Sequence, residues 1–131
     1  MYLVSRREKH KYISIKEMSE TLDISFHFLT KALQPLTQKG ILMSSRGPAG
    51  GVGFLKAPEE VTLKEIILVL EGNDFFNSCM LGLDGCGLQR PCPVHGVWMD
   101  IKSTLMKEFS SISLAMIGDK TVIQHLRLMN M

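Results

Sequence analysis

Two short helical segments follow each other in the sequence with only a two-residue turn, "DI", between them. The first begins with "SIKE", in which Ser14 and Glu17 have the spacing of a capping box. The second begins at Ser25, continues through "FHFLTKALQPLTQK", and stops at Gly40, a residue typical of the position after a helix end. Two short helices joined by so tight a turn predict a helix-turn-helix.

Apolar residues lie on one face of each predicted helix. They are Ile15, Met18 and Leu22 in the first, and Phe28 or Leu29, Ala32, Leu33 and Leu36 in the second. Pro35 interrupts the second segment and lacks a backbone N–H, so it predicts a kink or an early helix end.

A β-hairpin is predicted directly after these helices, since "ILMSS" and "VGFLKA" are strand-like and "RGPAGG" between them is turn-like. Gly47, Gly50 and Gly51 allow a sharp turn and a close approach to a partner. A hairpin following the second helix of a helix-turn-helix predicts a winged helix. The expected fold class is therefore mainly α with a small β wing.

The second half of the chain predicts two further helices with a loop between them. Thr62 and Glu65 form another capping box, and the helix that follows should close at Gly72. Residues 73–95 show no periodicity and predict a long loop. An apolar stripe then predicts one helix of about five turns. The stripe consists of Val97, Ile101, Leu105, Phe109, Ile112 and Met116.

This long helix lies beyond the first core and needs a surface to cover its apolar stripe. Self-association with a second copy is favoured, and folding back onto its own domain is the alternative. The predicted organisation is a winged helix-turn-helix at 1–72, a cysteine-bearing loop at 73–96, and a dimerisation helix with a C-terminal tail at 97–131. "MYLVSRR" predicts that the chain begins inside a truncated first helix, and 119–131 predict a last short helix.

Charge is distributed unevenly along the chain. Residues 1–56 carry nine Lys/Arg and four Asp/Glu, whereas 57–131 carry six and nine. A basic front half suggests an anionic partner, for which nucleic acid is the common one, and ordinary surface charge is the alternative that charge alone favours. Apolar runs are too short to cross a bilayer and no signal peptide is recognisable, so the prediction is a cytoplasmic protein with no membrane partner. The chain also lacks Walker, Rossmann and nucleophile-elbow motifs, which argues against an enzyme.

The predicted DNA-binding residues lie at the start of the second helix and in the wing. In a helix-turn-helix the N-terminal residues of the second helix reach the base edges of the major groove. Here they are Ser25, His27, Phe28, Thr30 and Lys31. For each the alternative is a solvated helix face, or for Phe28 a core position. Arg46 at the glycine-rich tip is predicted to enter a minor groove.

All three cysteines fall in one stretch, "CMLGLDGCGLQRPCPVH". Cys79, Cys86 and Cys92 have the spacing C-x6-C-x5-C, with His95 three residues further on. Zinc sites usually contain close pairs such as CxxC, which are absent here. Evenly spaced thiols on a glycine-bearing loop favour an iron–sulfur cluster, to which a histidine can also be a ligand. Free thiols and a redox-active pair that closes a disulfide remain as alternatives.

These features together resemble the iron–sulfur cluster regulator family of winged-helix transcription factors, which includes the IscR and NsrR types. The resemblance rests on the helix-turn-helix, "SSRGPAGG", "VTLKEIILVLEG", "CPVHGVW" and the long helix after it. It implies a bacterial homodimer that binds double-stranded DNA at a palindromic operator. It also implies Cys79, Cys86 and Cys92 as cluster ligands with His95 as the fourth, favouring a 2Fe-2S over a 4Fe-4S cluster.

The predicted function is transcriptional regulation in which an iron–sulfur cluster controls operator affinity, as a sensor of redox state, nitric oxide or cluster supply. The alternative is a cluster-free regulator of the same fold. In that case the signal is the state of the cysteine thiols, a metabolite or a partner protein.

Overall fold

The computed structural model describes residues 1–118, which form helices and one two-stranded hairpin. This mainly helical architecture with a small β wing confirms the predicted fold class. The predicted short helix within 119–131 lies outside the described residues. The elements are α1 (Tyr2–Arg6), α2 (Ile15–Leu22), α3 (Phe26–Gln38), β1 (Leu42–Ser45), β2 (Gly51–Phe54), α4 (Leu63–Glu71), α5 (Asp74–Asn77), α6 (His95–Ser111) and α7 (Leu114–Ile117), with a 3-10 turn at Pro58–Glu60.

The helix-turn-helix forms as the capping residues predict. The Ser14 hydroxyl oxygen accepts a hydrogen bond from the Glu17 amide at 3.0 Å and begins α2. Asp23 then adopts a left-handed conformation with φ 52° and ψ 47°, which turns the chain toward α3 within two residues. Ser25 caps α3 by accepting from the Phe28 amide.

Pro35 does not shorten α3, so that part of the prediction is wrong. The helix continues to Gln38, and the Gly40 and Ile41 amides then donate to the carbonyls of Thr37 and Leu36. Gly40 has a φ of 73°, so these two bonds form a Schellman motif. The proline removes a single backbone donor, and the last turn is held in place by this cap and by burial of Leu36.

The wing is an antiparallel hairpin in which Leu42 pairs with Phe54 and Ser45 with Gly51. The segment before α2 runs along its edge, because Ile13 and Val52 exchange two backbone hydrogen bonds at 3.0 and 2.9 Å. Gly51 has a φ of 145°, and a Cβ atom there would collide with the carbonyl of Ile13. Glycine at this position therefore allows the hairpin to lie directly against its own chain.

The core of the described residues consists of two adjoining apolar clusters. One surrounds Ile41 and Val61, the most deeply buried large side chains, and takes in part of α3, both strands and α4. The other includes Tyr2, Met18 and Leu29 and joins α1 to the helix-turn-helix. These clusters fix the outward direction of the remaining face of α3.

The segment from α4 to α6 differs from the predicted loop in two respects. Helix α4 ends at Gly72 as predicted, but a short helix, α5, forms at Asp74–Asn77 inside the stretch expected to be irregular. Its Phe76 is buried. Helix α6 begins at His95, and its 17 residues make about five turns.

The apolar stripe does not continue along one helix beyond Ser111, which corrects the prediction for Ile112 and Met116. Ile112 is extended, with a φ of −95° and a ψ of 116°, and its carbonyl accepts from the Leu63 amide at 2.8 Å. The Leu114 amide donates a hydrogen bond to the Val61 carbonyl oxygen at 2.8 Å. These two bonds return the chain to the first core, while α6 itself contacts α4.

Residues 112–118 thus fold back onto the winged-helix part, and this contact does not decide between self-association and fold-back of α6. No helix among the described residues has the length and apolar character needed to span a bilayer.

Candidate DNA-binding surface and candidate metal centre

The five predicted contact residues of α3 and its cap are all exposed. Leu29 is the buried residue of this turn, whereas 64% of Phe28 is exposed, so Phe28 does not occupy a core position. The His27 ring meets the Phe26 ring edge to face, with 5.9 Å between centroids. The Thr30 hydroxyl donates to the Phe26 carbonyl at 2.8 Å. The start of α3 consequently presents polar and aromatic groups to solvent.

Arg46 lies at the tip of the wing and is exposed. It takes part in neither of the two ion pairs found among residues 1–118, which join Arg7 to Glu59 and Lys56 to Glu65. The turn beside it is closed by a hydrogen bond from the Gly50 amide to the Gly47 carbonyl at 3.0 Å. A guanidinium in this position is free to contact a phosphate or a groove.

The three cysteines of the loop converge in space. Their sulfur atoms all lie within 4.8 Å of one another, and the Sγ atoms of Cys79 and Cys92 are 3.7 Å apart. Gly82 and Gly85 have φ values of 67° and 69°, which bend the loop between the first two cysteines. The cysteines are half-buried, so the loop encloses the sulfurs without removing them from solvent.

His95 completes this arrangement from the first position of α6. Its Nδ1 atom is 3.4 Å from the Sγ atom of Cys86, and its backbone amide donates to the Cys92 carbonyl at 3.0 Å. The three predicted cysteine ligands are therefore brought together, and His95 contacts this cluster at Cys86. Three sulfurs and one imidazole make a soft donor set, which suits zinc or iron–sulfur clusters rather than magnesium or calcium.

Backbone amides and neighbouring sulfurs make the thiols unequal. The amide of Leu83, with help from that of Leu81, lowers the pKa of Cys79 to about 7 against the opposing effect of desolvation. The Cys92 amide donates to the Cys86 sulfur at 3.3 Å and favours its thiolate. Desolvation and the two neighbouring thiols outweigh this hydrogen bond, so the pKa of Cys86 is raised.

Two residues near the cysteines were missed by sequence reasoning. Trp98 and Lys102 of α6 both donate to the carbonyl of Ser78, the residue before Cys79. Trp98 lies three positions after His95 and so shares a helix face with it, which is a signal that the sequence contains. No sequence pattern identifies a backbone carbonyl as the acceptor.

The helix-turn-helix, its exposed second helix and the wing define a winged-helix protein of the DNA-binding class, with a cysteine cluster beside it. The chain belongs to the Rrf2 family, described as iron-dependent transcriptional regulators, whose model matches residues 1–120. The members of this family are transcriptional regulators that bind DNA and are not enzymes. The family resemblance noted in the sequence is thereby confirmed.

The chain spans about three fifths of the length of two similar regulators. The chain is 29% identical over 102 residues to the regulator IscR of Photorhabdus laumondii, covering 78% of this chain and 62% of that protein. It is 31% identical over 90 residues to NsrR of Shouchella clausii, covering 68% and 60%.

Solved structures show the same fold. CymR, the global cysteine regulator of B. subtilis, superposes with a TM-score of 0.71 at 25% identity, covering 89% of this chain and 84% of that one. IscR of T. potens superposes with a TM-score of 0.68 at 24% identity, covering 88% and 74%.

Proposed function

We propose that this protein regulates transcription through an iron–sulfur cluster bound by Cys79, Cys86, Cys92 and His95. The observation that carries the proposal is the convergence of the three sulfurs within 4.8 Å of one another, beside the His95 imidazole. Similarity to proteins named IscR and NsrR supports it.

The residues present fit such a cluster. Thiolates are the usual ligands of iron–sulfur centres, and an imidazole can replace a thiolate. The amides of Leu83 and Leu81 lower the pKa of Cys79 and so favour the thiolate that a metal requires. The resemblance to the IscR type, and not the ligand set itself, favours a 2Fe-2S cluster over a 4Fe-4S cluster. When bound, the cluster would make the site responsive to oxidants, nitric oxide or iron–sulfur supply.

Helix α3 and the wing form the DNA contact in this proposal. The exposed residues His27, Phe28 and Thr30 face the major groove, and Ser25 and Lys31 contact phosphates at its edge. Arg46 enters the adjacent minor groove. The winged-helix part corresponds to 1–72, and the sensing loop to 73–96.

Two copies would bind a palindromic operator through paired α6 helices. Val97 and Ile101, one turn apart on α6, are 66% and 45% exposed. An exposed apolar pair on a helix of this length is suited to packing against the same helix of a second copy.

The cysteine loop is connected both to the winged-helix part that would bind DNA and to α6, the proposed dimer helix. It joins α5, which follows α4 closely, to α6, and α6 contacts α4. A change of order in the loop would alter the position of α6 and the spacing of two recognition helices. A coupling free energy of about 1–3 kcal/mol, typical of allosteric proteins, corresponds to a change in DNA affinity of about 5–150-fold.

The decisive experiment is purification without oxygen, followed by the visible spectrum and the iron and sulfide content per chain. DNA binding is then measured with duplexes selected from a random-sequence pool by the iron-containing protein. We expect visible charge-transfer bands, and an affinity that changes when iron is removed. A colourless protein without iron, or a Cys92→Ala variant that binds and releases the selected duplex as the parent does, would contradict the proposal.

A second candidate is a thiol switch, favoured by one specific distance. The sulfurs of Cys79 and Cys92 are 3.7 Å apart, so a small movement would allow a disulfide to form in a two-electron oxidation. Similarity to the cysteine regulator CymR supports a cluster-free mode, in which a metabolite or a partner protein is the other possible signal. Iron-free protein whose DNA affinity changes on treatment with peroxide and recovers with a thiol reductant would favour this candidate.

A further inference from the structure

Two side chains of α6 converge on one backbone carbonyl at the start of the cysteine loop. The indole N–H of Trp98 donates to the Ser78 carbonyl oxygen at 3.0 Å, and the Lys102 ammonium donates to the same oxygen at 3.4 Å. Trp98 and Lys102 are one helical turn apart, and the ammonium lies 5.7 Å from the indole centroid. Since Cys79 follows Ser78 directly, the peptide that carries the first thiol is held against α6.

Ser78 also belongs to the end of α5. Its amide donates to the Asp74 carbonyl at 2.9 Å, and its hydroxyl donates to the same oxygen. Helix α5, helix α6 and the cysteine loop therefore meet at this one residue. A displacement of the peptide between Ser78 and Cys79 away from α6 would therefore break hydrogen bonds made by Ser78.

Lys102 is buried more deeply than a charged side chain normally is. Only 6% of it is exposed, and it is the one buried charged residue in the described part of the chain. It belongs to neither ion pair found there. Burying an ammonium is costly unless an opposite charge compensates it, and a carbonyl and a ring face compensate only in part. The Ser78 carbonyl and the Trp98 ring are thus the groups that hold the Lys102 ammonium in place.

We propose that Trp98 and Lys102 are positioning residues of the cysteine site. They fix the Ser78 peptide so that Cys79 stays beside Cys86 and Cys92. The positioning role concerns the protein alone, whereas the effect on metal retention rests on the proposed iron–sulfur function.

The first test compares iron release to a strong ferrous chelator from oxygen-free parent protein and from K102M, K102R and W98F. Methionine is an unbranched side chain one atom shorter than lysine, and an apolar residue of similar volume commonly replaces a buried charge without loss of folding. Residues that support metal ligands typically contribute about 10–100-fold to metal affinity. We expect about tenfold or greater acceleration of release in K102M and W98F, with K102R closer to the parent. K107M, which removes an exposed charge from the same helix, should match the parent.

The second test uses iron-free protein and measures amide hydrogen exchange in residues 79–83. Exchange should be faster in K102M and W98F than in the parent and in K107M. If the parent never holds iron, the proposed function fails while the exchange data still decide the positioning role. Parent-like exchange in K102M and W98F overturns the proposal. Faster exchange with unchanged iron release from an iron-containing protein also overturns it, because the contact would then be structural only.

Discussion

The imidazole Nδ1 of His95 lies 3.4 Å from the sulfur of Cys86, at the point where the cysteine loop enters α6. This contact makes His95 the fourth ligand in the proposed site. Replacing His95 by Ala should lower the iron and sulfide content of oxygen-free protein or speed their loss, whereas His95→Cys should retain a cluster with an altered visible spectrum. His10→Ala, which changes an exposed histidine outside the site, serves as the control. Parent-like retention in His95→Ala would exclude His95 as a ligand.

Thiol reactivity in the iron-free protein should differ between the cysteines. The pKa of Cys79 is lowered to about 7 and that of Cys86 is raised, so at pH 7 a larger fraction of Cys79 is thiolate. Iodoacetamide should modify Cys79 faster than Cys86, with a Cys79 rate that rises through pH 7 and levels off above pH 8. Peptide mapping by mass spectrometry measures both rates. Equal modification of the two residues at pH 7 would contradict the hydrogen bonding found at Cys79.

Arg46 is predicted to contribute to DNA binding without contributing to folding. Arg46→Ala should weaken binding to the selected duplex, and the slope of log affinity against log salt should fall by about 1 if one phosphate contact is lost. The melting temperature should not change, since Arg46 is exposed and forms no ion pair with a described residue. Lys107→Ala removes the same charge from α6 and should leave DNA affinity unchanged. Equal losses in both variants would mean that only net charge matters.

Gly51 should be intolerant of a side chain. A Cβ atom there meets the Ile13 carbonyl, and the φ of 145° is unfavourable for alanine. Gly51→Ala should lower the free energy of unfolding by about 2–3 kcal/mol, as measured by urea denaturation of iron-free protein. Gly96→Ala is the matched control, because Gly96 lies in α6 with open space around its Cβ position. Equal stability of the two variants would contradict the close packing of the hairpin on residues 11–14.

The proposed dimer depends on the exposed apolar side chains of α6. Ile101→Glu places a charge in that surface and should shift the protein toward the monomer in sedimentation velocity experiments. Ser103→Glu adds the same charge to another exposed position of the helix and should leave the mass unchanged. A parent protein that is monomeric at micromolar concentration would rule out this role for α6.

Local interactions explain why much of the winged helix could be predicted. Ser14 begins α2, Gly40 ends α3 and Gly72 ends α4 because each position is decided by hydrogen bonds and backbone conformations within a few residues. The two strands of the wing could be predicted for the same reason, because a glycine-rich turn separates two apolar runs in the sequence. Pro35 shows the limit of such reasoning, because the helix beyond it is stabilised by its cap and by a buried leucine.

The sequence by itself determined the kind of chemistry at the site, since only three thiols and a nearby imidazole were available on one loop. Only the tertiary structure decided that the sulfurs converge, that α6 ends before Ile112, and that Lys102 is buried beside the loop. The end of α6 and the burial of Lys102 depend on contacts between residues distant in the chain, such as Ile112 with Leu63, whereas the sulfurs converge through the conformation of the loop itself. Spacing restricts which residues can meet, but packing against the rest of the fold selects the conformation in which they do.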